Sequence, residues 1–312
     1  MGKLAFVFPG QGSQFVGMGK ELFETSCGQE VYAAGRRVLG NDFLKIIEAG
    51  PEEELQFTYN TQPAILLVSI AAWCQLKAAG IAADYHAGHS LGEYSAHVAA
   101  GSLGLEEALR VVRRRGELMQ EAVPVGQGTM AAILGLEAGQ VEEACRLAAD
   151  CGSVQPANYN CPGQIVISGE IKAVHKAMEL AKTLGAKRAL PLSVSGPFHS
   201  LLMGSAAQEL NKALKEVNWQ KPCCPIIANV DTQEVLDPQR AIETLVNQLS
   251  GAVLWEQSIR YLSAQGVDTF VECGPGKALS GLIKKIAPTV NILQVGDLGS
   301  LEKSLAYLKE SS

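Results

Sequence analysis

The pentapeptide Gly88-His89-Ser90-Leu91-Gly92 has the G-x-S-x-G spacing of a nucleophile elbow. A serine placed after a short apolar run and before a helical pattern is expected on a sharp strand-to-helix turn, with its hydroxyl exposed. The flanking glycines are expected to supply backbone angles that a side chain would forbid. A hydroxyl attacks an acyl carbon only when a base removes its proton, so a histidine must come within reach. His86 and His89 are too close in sequence to turn back onto the same elbow, and His97 falls two turns along the following helix. His175, beside Lys172 and Lys176, reads as a solvated surface residue. His199 differs, because it sits in a loop with Gly196 and Pro197, ahead of a helix, where a side chain can face a cleft.

Two further groups could recognise a substrate. On a helix from Leu105 to Gln120, Ala108, Val111, Val112, Leu118 and Met119 form one apolar stripe, and Arg115 falls inside it while Arg113 and Arg114 fall outside. A guanidinium on a buried face is costly unless an anion meets it, so Arg115 must pair with a protein carboxylate or await a carboxylate ligand. Phe8-Pro9-Gly10-Gln11-Gly12-Ser13-Gln14 follows the first apolar run. A glycine-bracketed turn there presents free backbone N–H groups at the end of a strand. It has neither the G-x-G-x-x-G spacing nor a P-loop lysine, and the Gly274-Pro275-Gly276-Lys277 turn fails for the same reasons, which argues against nucleotide binding.

The elements that position these residues are short β-rich runs at Leu4 to Phe8, Tyr85 to Ala87, Pro225 to Val230, Thr269 to Glu272 and Asn291 to Val295, each followed by helix-compatible sequence. That alternation predicts a parallel α/β sheet, and with the G-x-S-x-G elbow at a strand end the expected fold class is α/β-hydrolase-like. Asn60-Thr61 before Pro63, and Asp237 before Pro238, mark helix starts, and Gly80 closes the first of these helices. Between positions 126 and 194 the order becomes β-α-β-β-α-β, the pattern of a ferredoxin-like unit. The expected organisation is a discontinuous large domain, 1–125 and 195–312, with a small domain, 126–194, inserted in it.

Bulk composition narrows the class further. A formal net charge of -6 with no long basic run argues against a nucleic-acid binder. Eight scattered cysteines without C-x-x-C or zinc-ligand spacing suggest neither a disulfide framework nor a metal, and fit a reducing cytoplasm. The start of the chain carries no secretory h-region or myristoylation pattern, so neither removal nor anchoring is expected there. Pro63 to Trp73 is too short to cross a bilayer and reads as a buried helix.

Taken in chain order, Phe8-Pro9-Gly10-Gln11-Gly12, Gly88-His89-Ser90-Leu91-Gly92-Glu93, Arg115-Gly116, Asn160-Cys161-Pro162-Gly163-Gln164, Phe198-His199 and Glu272-Cys273-Gly274-Pro275-Gly276 resemble the motifs of malonyl-CoA:acyl carrier protein transacylases. The resemblance spans nearly the whole chain. It implies Ser90 as the nucleophile that takes the malonyl group and His199 as its base. It also implies backbone N–H groups of Gln11 and Leu91 as oxyanion donors, and Arg115 as the partner of the free malonate carboxylate. Phe198 resembles the bulky residue associated with malonyl selection, and Asn160 and Gln164 would line the site from the small domain. The implied partners are malonyl-CoA and an acyl carrier protein, whose phosphopantetheine thiol would complete a ping-pong cycle in fatty-acid or polyketide synthesis. No bound cofactor or membrane is implied, and a monomer suffices. Lys187-Arg188, Lys277 and Lys284-Lys285 are candidates for meeting an acidic carrier.

One position departs from the family pattern. Members often carry Gln or Arg before the tryptophan of a V-x-W stretch near the base, and Leu254 stands there, ahead of Trp255. A backbone carbonyl of this loop, at Leu254, is therefore expected to accept the His199 N–H and fix its tautomer without any Asp. The rival readings are a serine esterase or thioesterase on the same elbow, which needs an acid between Ser90 and His199 and has no use for Arg115, and a non-catalytic scaffold that docks carrier proteins.

Overall fold

The computed structural model describes residues 2–124, 126–194 and 196–310. Val125 and Ser195, at the expected domain junctions, lie outside that set, as do Met1, Ser311 and Ser312. Ten strands are present among the described residues: β1 (Lys3–Phe8), β2 (Tyr85–Gly88), β3 (Gly128–Leu134), β4 (Val154–Cys161), β5 (Gln164–Glu170), β6 (Arg188–Pro191), β7 (Ile226–Ile227), β8 (Glu234–Val235), β9 (Val267–Cys273) and β10 (Asn291–Val295). The first apolar run becomes a strand buried from Leu4 to Phe8, because helices cover both faces of the sheet it lies in.

The large sheet has the order β10-β9-β1-β2-β7-β8, parallel except for the β8 edge, which pairs antiparallel with β7. The short β7–β8 hairpin replaces the longer strand expected from Pro225 to Val230. Winding reverses at β1, with β2 on one side and β9 on the other, and ligands bind beyond the carboxyl ends of strands at such a reversal. Gln11 follows β1, Ser90 follows β2 and Asn229 follows β7, so three neighbouring strand ends deliver them to one place. The small sheet is antiparallel, order β4-β5-β3-β6, with helices Ala138–Leu147 and Ile171–Thr183 packed on it, the arrangement of a ferredoxin-like unit.

The apolar segment containing Pro63 lies in helix Thr58–Ala78, which is buried along most of its length. Its start differs from the expected one. Asn60 and Thr61 do not cap it; their side chains donate to the carbonyls of Glu54 and Leu55 in the preceding helix, at 2.8 and 2.6 Å. Pro63 therefore sits inside the helix, where its missing N–H leaves the Tyr59 carbonyl without its usual donor. Arg113 supplies one at 3.3 Å, with its guanidinium over the Tyr59 ring. Asp237, by contrast, caps helix Pro238–Ser250 through the Arg240 N–H as its sequence implies. Among the described residues, no helix is long and apolar enough to cross a membrane.

The elbow is strained where the sequence did not suggest. Gly88 and Gly92 have ordinary backbone angles, and the left-handed residue is Ser90 itself, at φ 52°. The glycines are needed for close approach instead: a Cβ on Gly92 would lie 2.0 Å from the Phe8 carbonyl oxygen, and one on Gly88 2.0 Å from the Gly92 carbonyl carbon. Backbone cannot yield as a flexible side chain can. Gly92→Ala is expected to lower stability by about 3 kcal/mol in urea unfolding, at the upper end of overpacking costs. A loss below about 0.5 kcal/mol would show that the elbow does not depend on this contact.

Candidate active site

The elbow brings Ser90 Oγ within 2.7 Å of His199 Nε2, joining residues 109 apart in sequence. His199 is also left-handed, at φ 57°, so both partners hold sparsely populated angles. Its Nδ1 lies 2.8 Å from the backbone carbonyl of Gln248. Gln248 stands in the last turn of helix Pro238–Ser250, where carbonyls have no partner within the helix and the dipole is negative. A carbonyl can only accept, so Nδ1 carries the proton and Nε2 is left bare to take one from Ser90. The expected role of Leu254 is thereby corrected: the Leu254 carbonyl accepts the Ser258 N–H and hydroxyl inside the next helix, while Gln248 orients the base.

Burial, and secondarily the nearby Arg115 charge, pushes the His199 imidazole down to about 3. It is therefore neutral, as a base must be. His86 and His97, buried beside the elbow, are held down to about 4 and 3 mainly by burial. They are packing groups: His86 stacks on Phe6, and His97 bonds Ser102 at 2.8 Å. His175 is exposed, as expected.

Arg115 is fully buried, and its partners are neutral. It donates to Gln62 Oε1 at 2.8 Å, Gln248 Oε1 at 2.8 Å and Ser90 Oγ at 3.1 Å, while its Nε has no partner among the described residues. Its buried side chain thus meets amides where a protein carboxylate had been one of two expectations. Gln248 is the hub of this arrangement. Its carbonyl holds His199, its amide oxygen holds Arg115, and its amide nitrogen donates to the Ser90 carbonyl at 3.0 Å and Glu93 Oε2 at 2.8 Å. Asn229 pins the elbow from the other side, accepting the Ser90 N–H and donating to the Gly88 carbonyl, both at 2.7 Å.

These groups face a cavity of about 120 Å³ lined by Gln11, Gln62, His89, Ser90, Leu91, Arg115, Met119, Met130, Asn158, Leu192, Val194, Phe198 and His199. Gln11, Leu91 and Phe198 thus reach it, and among the described residues no acceptor takes the backbone N–H of Gln11 or Leu91. Two expected lining residues do not reach it. Gln164 is at the β4–β5 turn, where it accepts from the Cys161 thiol, and Asn160 touches the site only through His89 Nε2, at 2.9 Å. Asn158, two residues earlier on the same strand, is the small sheet's polar contribution. A wider groove of about 690 Å³ shares Gln11, Leu192 and Val194 with the cavity and runs past Gln14, Gln56 and Phe57. Among the described residues, no cluster of His, Cys, Asp and Glu could hold a metal ion.

Residues 5–292 match the family described as the acyl transferase domain. The chain belongs to that family. Within it, a Bacillus subtilis acyltransferase named malonyl CoA-acyl carrier protein transacylase is 48% identical, covering 100% of this chain and 99% of its own length. A Salmonella typhimurium protein of the same name is 43% identical over 98% of this chain and 99% of its own. Among solved structures, an acyl carrier protein S-malonyltransferase from Vibrio cholerae superposes with a TM-score of 0.94 at 45% identity, covering 97% and 99% of the two chains. A malonyl-transacylase solved in complex with a type II PKS acyl-carrier protein gives 0.95 at 42%, over 98% and 99%. The motif resemblance and the α/β fold with a separate small antiparallel sheet thus hold for this acyltransferase.

The acyltransferase's buried histidines set its acid response. Each binds a proton in the unfolded chain below pH 6.5 but not in the folded one until about pH 4 or 3, so stability falls as the pH drops through that window. Glu93, raised to about 7, works in the opposite sense between pH 7 and 4.5. Urea midpoints are expected to fall steadily from pH 6 to 4. For the same reason, acylation of Ser90 by a neutral fluorophosphonate should show no inflection near the ordinary histidine value of 6.5; an inflection there would mean that His199 is solvated.

Proposed function

We propose that this chain transfers the malonyl group of malonyl-CoA to the phosphopantetheine thiol of an acyl carrier protein, through a malonyl ester on Ser90. The observation that carries the reading is the buried Arg115 guanidinium, 3.1 Å from Ser90 Oγ and, among the described residues, hydrogen-bonded to neutral groups. A permanent cation beside a nucleophile, with no protein carboxylate on it, suits an acyl group that ends in a carboxylate of its own. Curated relatives named malonyl CoA-acyl carrier protein transacylase support the same substrate pair.

The chemistry follows from the geometry. Ser90 Oγ attacks the thioester carbon as its proton passes to His199 Nε2, and the Gln248 carbonyl stabilises the imidazolium that forms. Backbone N–H groups of Leu91 and Gln11, free of other acceptors among the described residues and set after adjacent strands, hold the developing oxyanion. Collapse expels the CoA sulfur, which takes the proton from His199. The carrier thiol then repeats the sequence in reverse on the Ser90 ester, regenerating the serine. Phe198 and Asn158 bound the acyl cavity, and the groove past Gln56 and Phe57 gives the pantetheine arm a way in. We take residues 126–194 as the inserted small domain and the remainder as the catalytic domain. The scheme calls for no resident cofactor, one chain supplies every residue in it, and eight free thiols fit a cytoplasmic location.

A serine hydrolase reading is not favoured, because a main-chain carbonyl stands behind His199 where a Ser-Asp-His enzyme places a carboxylate. Intact-protein mass spectrometry after brief mixing with malonyl-CoA should show a malonyl adduct on the wild type and none on Ser90→Ala. Adding a phosphopantetheinylated carrier should discharge the adduct faster than water does; discharge at the same rate would make the chain a hydrolase. Arg115→Ala should cost malonyl transfer about 100-fold or more, with a much smaller effect on acetyl transfer. Equal losses would make Arg115 structural.

A further inference from the structure

Glu93 is a fully buried carboxyl group that the transfer chemistry leaves unused. It lies on helix Gly92–Ala99, directly after the elbow. Its Oε2 accepts from the Gln248 amide at 2.8 Å and from the Asn229 backbone N–H at 3.0 Å, while Oε1 has no partner among the described residues. The far end of the same Gln248 amide accepts from Arg115 at 2.8 Å. A single amide therefore separates the guanidinium from the carboxylate, oriented with its N–H toward the anion and its oxygen toward the cation. In a buried medium of low dielectric, a change of charge on either side is felt on the other.

We propose that Glu93 is the resting counter-anion of Arg115 and becomes neutral when the malonyl carboxylate takes over that role. The inference rests on Arg115 receiving that carboxylate, and it adds a proton step to loading. As the acyl group enters, one proton from solvent adds to a Glu93 carboxylate oxygen; no other bond forms or breaks at this residue. When the carrier removes the malonyl group, the proton leaves. Glu93 thus makes malonyl binding, and not the binding of an uncharged acyl group, dependent on pH.

The groups around Glu93 allow this. Burial pushes its carboxyl up to about 7, with the Gln248 and Asn229 hydrogen bonds pulling it down, Asp231 from the turn after β7 raising it and Arg115 lowering it. Tyr94, on the same helix, is pushed up by burial and stays a neutral phenol. His199, across Ser90, is held near 3, so it takes up no proton in the neutral range. By linkage, an anion arriving at Arg115 raises the Glu93 value further, and malonyl loading is therefore tighter on the acid side of neutrality.

The test is the loading equilibrium of the whole chain at a fixed ratio of malonyl-CoA to CoA, read by mass spectrometry from pH 6 to 8, with acetyl-CoA as the uncharged control. Malonyl occupancy, expressed as an equilibrium constant, is expected to drop about fivefold across this range relative to acetyl, and the drop is expected to vanish in Glu93→Gln. A residue with only a packing role would lower occupancy of both acyl groups without changing their pH dependence. Calorimetry of wild-type loading in two buffers of different ionisation enthalpy gives a second readout that does not depend on the variant folding: net proton uptake near pH 7 with malonyl-CoA and none with acetyl-CoA. Parallel pH profiles for the two substrates, a malonyl slope that survives Glu93→Gln, or no proton uptake would each overturn the proposal. The reading of Arg115 would still stand if Arg115→Ala lost malonyl transfer selectively.

Discussion

A guanidinium removed from water needs hydrogen-bond acceptors in place of the water it loses, and the way Arg115 finds them organises the rest of this site. Neutral amide oxygens from Gln62 and Gln248 take two of its donors and Ser90 Oγ a third, so the charge is held in place without direct contact to a carboxylate among the described residues. Gln248 can do this because it sits at the end of a helix, where its own carbonyl is free for His199. The base, the cation and the elbow backbone are consequently tied to one residue. Asn229 closes the arrangement from the opposite side, and between them these two amides hold Ser90 in an angle that a non-glycine residue rarely adopts.

Much of this was readable in the sequence, and the parts that were not share a cause. Ser90 and His199 announce themselves by residue type and by the loops around them. Arg115 was found because a cation on an apolar helical stripe contradicts its surroundings. Gln248 breaks the pattern of its helix in the same way, lying on the buried face with Ala241, Leu245 and Leu249, but an amide is a weaker contradiction than a guanidinium. Asn229 offered no pattern, since its role depends on β7 pairing beside β2 and not on its neighbours in sequence. The Leu254 expectation failed for a related reason: a carbonyl belongs to every residue, so only the three-dimensional path of the chain says which one faces the imidazole.

The fold followed the same division. Alternating apolar runs gave the parallel sheet, and the β-α-β-β-α-β order gave the small antiparallel one, because both signals are local. The β7–β8 hairpin and the true start of helix Thr58–Ala78 were set by distant contacts, namely pairing with β2 and side-chain bonds back to Glu54 and Leu55. The elbow glycines show the distinction most clearly. Their presence was meaningful, but their reason was the Phe8 strand end pressed against them, which no inspection of the pentapeptide reveals.

The cavity wall draws on the surroundings of two different sheets. Ser90 follows β2 of the large sheet, His199 lies in a loop and Arg115 on helix Leu105–Glu121, whereas Met130 and Asn158 lie on strands of the small sheet, and Leu192 and Val194 in the segment leaving it. The reacting groups and the surface that limits the size of what reacts can therefore drift apart in evolution. Substitutions on β3, β4 or the stretch after β6 can widen or narrow the chamber for a different acyl chain while the hydrogen bonds that link serine to histidine and histidine to the helix end are left untouched. Such a layout makes one catalytic engine adaptable to many acyl groups.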